Sequence, residues 1–600
     1  MRTYKTLREV TLPIPEKSHP SPADWRDEII YSLIVDRFSD GKENGRPMYD
    51  PKKHADNALK EDGGRKWAAE GLRWQGGTLK GIKSKLDYLK DLGVTALWLS
   101  PVFRQRKVTP ELEALGEVNY HGYSIQNFLD VDPHFGTKED LRDLVKSAHK
   151  KGIRTILDIV HNHTGNNWYY EGYEKPEDMR NSPDFRLEER PFGGWRTEKG
   201  DGIIRGEEDG VWPEEFQNTE WYWRKGSIKN WDTYPDYIQG DFFVSKSLKH
   251  SNPEVLDALI KIYRYWMYYT DCDGFRIDAA KHVGVDASTK FCNAIREYAE
   301  LIGKKNFLLM GEVAGSEDLA KQFLANATEA GLSAILDING PPRALEKVIK
   351  GFEHPFSLFT YYTAKSNLPL ASHREMGKFH ISILDDHDQV WRYPEEGKAR
   401  FSADNPFDQQ IVLATGFQMC SLGIPSIYYG TEQNFDGKGG KPHFDRWIRE
   451  CMFGGEFGAK RTRGVHFFNT DSPTYRQISE LCRTRKSEPA LRYGRQYFRK
   501  ISWDGENFVW PDRKQVIAWS RILAGEEVIA AINTNAEERL SVYVNIERGL
   551  HDGDTVWSVL FSNCEDEDRV ESYRSEIIGD YAAIRITLSP CSMVIIKRKS

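Results

Sequence analysis

LKGIKSKLDYLKDLGVTALWLS (79–100) and KEDLRDLVKSAHKKGIRTILDIV (138–160) share one pattern: an amphipathic helical stretch, a glycine stop, then a short apolar run. Helical spacing of the leucines gives way to near-continuous β-branched and aliphatic residues, which reads as a strand buried on both faces of a parallel sheet. Working outward, IIYSLIV (29–35) supplies a strand before these units. GFRIDAA (274–280), NFLLMGE (306–312), LSAILDI (332–338), FHISILD (379–385) and IPSIYYG (424–430) supply five after them. Helices are expected over 253–270, 287–303, 317–329 and 406–421, with a last one at 475–487. Eight strand–helix units predict a (β/α)8 TIM barrel.

Two stretches break the rhythm. Residues 164–250 hold six of the 17 tryptophans (Trp168, Trp195, Trp212, Trp221, Trp223, Trp231) among Gly, Pro and Asn, and are too long for a plain loop. They predict an inserted subdomain after strand three. From about 493 to 600, short β-rich runs such as QVIAWSRI, EVIAAINT and YAAIRITL alternate with turn residues, predicting a C-terminal antiparallel β-sandwich. The barrel then occupies 1–163, with its N-terminal lead, and 251–492.

Composition narrows the function class. The 90 acidic and 83 basic residues leave a net charge of −7, which argues against nucleic acid or an anionic membrane as partner. Mean hydropathy is −0.62 and no apolar run is long enough to span a bilayer. The N-terminus shows no apolar leader core, and the seven cysteines form no CxxC pair, so a reducing, cytoplasmic location is expected. Aromatics reach 12%, enough for a large core or for surfaces that stack on sugar rings.

Reactive groups of such barrels project from the C-terminal strand ends. Four ends carry polar clusters: Asp158, Asn162 and His163 (DIVHNH); Arg276 and Asp278 (GFRID); Glu312 (LMGE); and Asp386, His387 and Asp388 (DDHD). Singly, each has a bland reading, such as a helix cap, a structural ion pair or a solvated loop acid. HNH is a poor zinc set because Asn is a weak ligand for that metal. Together they deliver acids and histidines to one face of one barrel. Two carboxyl groups flanking a glycosidic bond give hydrolysis, one as an ionised nucleophile and the other as a protonated acid. Arg276, two residues from Asp278 and on the same strand face, is expected to hold that carboxyl down. Glu312, with no basic sequence neighbour, is expected to be the protonated partner.

These segments resemble the signature regions of the alpha-amylase family of retaining glycoside hydrolases. DIVHNH (158–163), GFRIDAAKH (274–282), GEV (311–313) and HD (387–388) fall in that family's chain order. GVTALWLSPVF (93–103), YHGY (120–123) and VDPHFGT (131–137) add to the likeness. The resemblance implies Asp278 as nucleophile, Glu312 as acid/base and Asp388 as transition-state stabiliser. It implies that Tyr123 stacks on the sugar, that Asp158, His163 and His387 surround it, and that Arg276 orients Asp278. Lys281 and His282 would serve acceptor subsites of α-1,4-acting members, so α-glucans or malto-oligosaccharides are the expected substrates.

The resemblance also implies a calcium possibility at Asn162. The segment SKSLKHS (245–251), however, carries Lys246 and Lys249 where an Asp is expected, so an ammonium in place of the ion is the alternative and no cofactor is required. Asp40 is a weaker hard-ion candidate. Asp386 stands where the family commonly has Asn. Trp168, Trp212 and Trp231 are candidates for sugar subsites, and Trp503, Trp510 and Trp519 for a surface glucan site. Transglycosylation on the same substrates is a close rival, and a catalytically dead binding scaffold is a distant one.

Overall fold

The computed structural model describes residues 4–108, 119–175, 182–324, 331–366, 375–390, 397–404, 407–439 and 445–599. Eight parallel strands close a barrel: β1 (Ile30–Leu33), β2 (Ala96–Leu99), β3 (Arg154–Val160), β4 (Gly274–Asp278), β5 (Leu308–Gly311), β6 (Ala334–Leu336), β7 (His380–Ile383) and β8 (Ile424–Tyr428). Each pairs in parallel register with its sequence neighbours, and β8 closes on β1. All eight expected apolar runs form these strands. The expected helix over 317–329 spans Glu317–Phe323, and residues 325–329 lie outside the described residues.

Alternation along the strands divides the core. Ile30, Ala96, Trp98, Ile156, Leu308, Met310, Ile381 and Ile424 fill the barrel interior. Tyr31, Leu97, Leu99, Leu157, Phe275, Ile277 and Leu309 face the surrounding helices. The helices carry local start and stop signals. Thr137 and Asp140 form a reciprocal capping box for Lys138–Lys150. Asn252 caps Pro253–Thr270, which ends at Asp271 in the left-handed region.

The N-terminal lead crosses the bottom of the barrel, away from the rim. Lys304, fully buried, donates from Nζ to Asp273 (3.1 Å) just ahead of β4 and to the carbonyls of His19 (3.1 Å) and Asp271 (2.8 Å). His19 stacks on His149 with ring centroids 3.8 Å apart, and His149 Nε2 lies 2.7 Å from Asp273. These contacts tie the lead to the strand starts.

The insertion begins at the end of β3 with a short pairing of His163–Thr164 to Lys246–Ser247. Trp168 is fully buried against Tyr170, Phe192 and Tyr222, and Trp212 is 6% exposed with its indole N–H on the Asp209 carbonyl. Both are core residues of the insertion, not sugar platforms. At the C-terminal end, nine antiparallel strands from Arg495 to Arg598 form one hydrogen-bonded order that folds over itself. Strand Ser572–Ile578 pairs first with Val556–Ser562 and then with Tyr581–Leu588, joining the two layers around their own apolar core. Trp519 is fully buried there and seals against the Cys420 carbonyl, so it is no surface site; Trp503 and Trp510 are half exposed.

Candidate active site

Register sets the site. Arg276 on β4 is the pair partner of Asp158 on β3, so both point into the barrel at the same height. Asp278, two residues on, shares that face. Glu312 follows β5 directly, and its backbone N–H donates to the Ile277 carbonyl at 3.0 Å, which places its side chain beside Asp278. Ala279 adopts φ 49°, ψ 35°, a left-handed conformation unusual for alanine. That twist aims its N–H at Glu312 Oε2, 3.0 Å away.

One guanidinium ties these acids together. Arg276 Nη1 donates to Asp278 Oδ1 (2.7 Å) and Asp158 Oδ1 (3.0 Å), while Nη2 donates to Glu312 Oε2 (2.8 Å). Asp158 also accepts from Trp98 Nε1 (3.1 Å) and from the Tyr123 hydroxyl (2.9 Å). Tyr123 lies parallel to His387, with centroids 5.5 Å apart and planes 13° apart. His387 Nε2 sits 2.7 Å from the Tyr123 hydroxyl and 2.9 Å from Asp388 Oδ2. Asp388 accepts a second charged bond at Oδ1 from Arg449 Nη2 (2.7 Å), and its side chain remains 28% exposed.

The electrostatics depart from expectation at two points. Glu312 does have a basic neighbour, Arg276, which sequence distance concealed. Asp278 is not held down by that arginine. Burial raises its carboxyl, Arg276 opposes this, and the charges of Asp158 and Asp388 push it up to about 6. Burial outweighs the arginine, and two neighbouring acids add to it. Glu312 is lifted to about 7 by burial first, then by Asp278 and Asp388, against Arg276. Asp388 goes the other way: burial would raise it, but His387, Arg449 and Lys398 hold it well below the usual carboxylate range.

The remaining residues line the same mouth. His163, buried, is pushed down to about 3 and stacks on Phe242 at 5.2 Å. His282 is pushed down to about 4 by burial, and its Nδ1 lies 2.6 Å from the Tyr237 carbonyl. Lys281 Nζ donates to Asp232 (2.7 Å). Trp231 packs edge-on to His282 and 5.0 Å from Phe243, which is 59% exposed. Asp386 accepts the backbone N–H groups of Asp388 (2.9 Å) and Gln389 (2.5 Å), closing the turn as an asparagine oxygen could. Sequence reasoning missed Arg449, Lys398, Trp98, Phe242 and Phe243. Strand alternation could have flagged Trp98, on the same face as the β2 interior; no local pattern marks the others.

Beside Asn162 the structure places an imidazole: the asparagine Nδ2 lies 3.3 Å from His163 Nδ1. Asp241, a buried acid of the insertion, is already committed: it accepts from Lys246 Nζ (3.1 Å), Tyr170 (2.9 Å), Ser182 (2.7 Å) and the Ser247 N–H (3.3 Å). Lys246 is 3% exposed and lies over the rings of Trp168 and Tyr170 at 5.0 and 4.9 Å. This donor set suits an ammonium, not a hard dication, which wants six to eight oxygens. Lys249 is elsewhere, over Trp223. Asp40 is paired with Arg46 at 2.6 and 2.8 Å.

Comparison with known proteins agrees with this geometry. The family model described as "Alpha amylase, catalytic domain" matches residues 32–494. The chain belongs to the alpha-amylase family. An alpha-amylase of Streptomyces lividans is 30% identical over 521 residues, covering 80% of this chain and 53% of the relative. A cyclomaltodextrin glucanotransferase of Klebsiella oxytoca is 28% identical over 508 residues, covering 80% of this chain and 67% of that one. The chain thus spans about half the length of the first relative. Among solved structures of the family, the three-domain cyclomaltodextrin glucanotransferase CldA superposes with a TM-score of 0.67 at 25% identity, over 96% of this chain and 99% of that one. An acarbose-complexed alpha-amylase of Geobacillus thermoleovorans gives 0.65 at 22% identity, over 96% of this chain and all of that one, a likeness of fold. In this alpha-amylase family member, among the described residues, no helix is long and apolar enough to cross a membrane.

Proposed function

We propose that the chain is a retaining α-glycoside hydrolase that cleaves α-1,4-glucosidic bonds of malto-oligosaccharides or α-glucans through a covalent glycosyl-enzyme. Asp278 is the nucleophile, Glu312 the general acid/base and Asp388 the transition-state stabiliser. The observation that carries this reading is the shared guanidinium. With Asp278 on Nη1 and Glu312 on Nη2 of one guanidinium, the two carboxyl groups are neighbours, placed to flank one glycosidic bond. The higher lift of Glu312 supports the division of labour, the lower-pKa acid ionising first to attack while the other keeps its proton to give to the leaving oxygen. Tyr123 offers a stacking face, and Asp388, with both oxygens braced and part of its surface open, is placed to bind sugar hydroxyls.

The same reading takes 164–250 as a domain covering the mouth and 493–600 as an accessory domain. It requires no metal, since Lys246 supplies positive charge inside the insertion. The seven cysteines are all free and buried, which fits a reducing, cytoplasmic setting. A binding-only scaffold is disfavoured because all three acids converge on one network.

Transfer to a second sugar is the second reading. Phe243, half-exposed beside Trp231 and near Lys281–His282, offers an acceptor ring an apolar plate that would also displace water. Product analysis over time on maltotriose decides between them: only shorter sugars mark hydrolysis, longer ones transfer. NMR of the first product tests retention, and a β-anomer appearing first would sink the covalent mechanism. Turnover of sucrose or trehalose, with none on maltodextrins, would sink the substrate assignment.

A further inference from the structure

We propose that Arg449 is a positioning residue for the reaction, fixing the orientation and ionisation of Asp388 from across the barrel mouth. The inference rests on the role given to Asp388 above and extends it to a residue that shares no motif with it. Arg449 lies beyond β8, 61 residues from Asp388, and bonds the His387–Asp388 pair twice. Its Nη2 donates to Asp388 Oδ1 at 2.7 Å and its Nε to the His387 carbonyl at 2.9 Å. A planar fork gripping a carboxylate and the preceding carbonyl fixes direction as well as charge, which a point ammonium cannot do.

The arginine is itself held. Its side chain is 8% exposed, and its carbonyl accepts from Arg37 Nη1 at 3.2 Å. Asp445 faces it at 3.4 Å. Next to it, Glu450 pairs with the fully buried Arg400 at 2.9 Å. The other titratable and charged groups around the pair are His387, Asp386 and Lys398 on the strand-seven side, Tyr120 and Tyr428 against Arg449, and Asp278 and Glu312 across the cleft. Lys398 bonds the Asp388 carbonyl, not its carboxylate. The carboxylate therefore has two cationic partners in contact, His387 and Arg449, and of these only Arg449 cannot lose its proton in the working range.

The consequence is a division among three neighbouring acids. Asp278 and Glu312 titrate near neutrality, while Asp388 stays charged throughout and takes no part in exchanging protons with them. Removing the arginine's charge raises Asp388, and with it the pH below which the site carries a protonated stabiliser. The acid limb of turnover stays with Asp278, and the loss appears in kcat, because Asp388 is no longer held in one direction.

The test compares Arg449→Gln, Arg449→Lys and Asp388→Asn in the full chain, measuring kcat, KM and the pH profile on maltoheptaose, with circular dichroism and Tm as fold checks. Arg449→Gln keeps a donor for the His387 carbonyl and removes the charge. Its kcat is expected to fall about 10- to 100-fold with KM nearly constant and Tm unchanged, the acid limb staying with Asp278. Arg449→Lys, which restores the charge but not the planar fork, should recover part of kcat. Wild-type kcat in Arg449→Gln overturns the proposal. So does an equal loss of kcat in both variants, or a loss that comes with a fall in Tm, because that is what a packing role gives. Asp388→Asn separates the two layers of inference: if it turns over like the parent, the underlying site reading fails; if it is inactive while Arg449→Gln is unaffected, only this proposal fails.

Discussion

The most direct prediction concerns pH. Asp278 must be ionised to attack and Glu312 protonated to donate, and the site places their transitions at about 6 and about 7. Activity is therefore lost on the acid side as Asp278 takes up a proton, and on the alkaline side as Glu312 gives one away. Treating the two steps as those of the pair, the competent form reaches about 60% of molecules near pH 6.5 and about 9% at pH 5 or pH 8. Thus kcat/KM should describe a narrow bell centred near 6.5, falling about sevenfold at each of those flanking values. Initial rates on maltoheptaose in overlapping buffers of constant ionic strength would measure it. A plateau from pH 5 to 8, or a peak below pH 5, would refute the argument that burial, with the neighbouring acids added to it, lifts both groups against Arg276.

Other outcomes follow from the same contacts. Asp278→Asn should lower turnover by about 10⁴-fold or more, the scale of losing a nucleophile. Because the folded carboxyl titrates above its unfolded value of 3.8, ionising it costs the fold fully above about pH 6 and not at all below the unfolded value. The same variant should therefore be more stable at pH 8, by up to about 3 kcal/mol, and equal to the parent at pH 3; chemical denaturation at both values checks the sign. Chelator should leave Tm unchanged, whereas Lys246→Met, which strands Asp241 in the insertion core, should destabilise by about 3–5 kcal/mol; a Tm that falls with chelator would show a needed ion instead. Tyr123→Phe keeps the ring and removes the hydroxyl between Asp158 and His387, so kcat/KM should drop about tenfold or more with Tm little changed; an unaltered kcat/KM would mean the hydroxyl is idle.

The barrel was legible because its strands are buried on both faces and so appear as near-continuous apolar runs, as in ALWL of β2 and LLMG of β5. The rim acids were legible because they fall at or near the ends of such strands: Asp278 ends β4, Glu312 follows β5 directly and Asp388 lies five residues past β7. Two C-terminal strands, Val556–Ser562 and Ser572–Ile578, escaped notice because they are exposed on one side and rich in Ser, Arg and Glu. The pKa of Asp278 was misjudged for a related reason. Sequence displays the arginine two residues away but not the burial of the carboxyl, nor Asp158 and Asp388, which arrive from other parts of the chain. Arg449 lies in an irregular stretch after β8, where nothing periodic marks which side chain turns inward. Trp168 looked like a sugar platform by composition alone; only its enclosure by Tyr170, Phe192 and Tyr222 reveals it as filler.

A single buried arginine bonded to both the proposed nucleophile and the proposed acid leaves little room to adjust either alone. Any exchange at Arg276 would move both edges of the working window together. Adaptation to more acidic or more alkaline surroundings is thus steered to groups that bear on one acid alone, such as Asp158 beside Asp278, where one edge can drift while the other stays anchored.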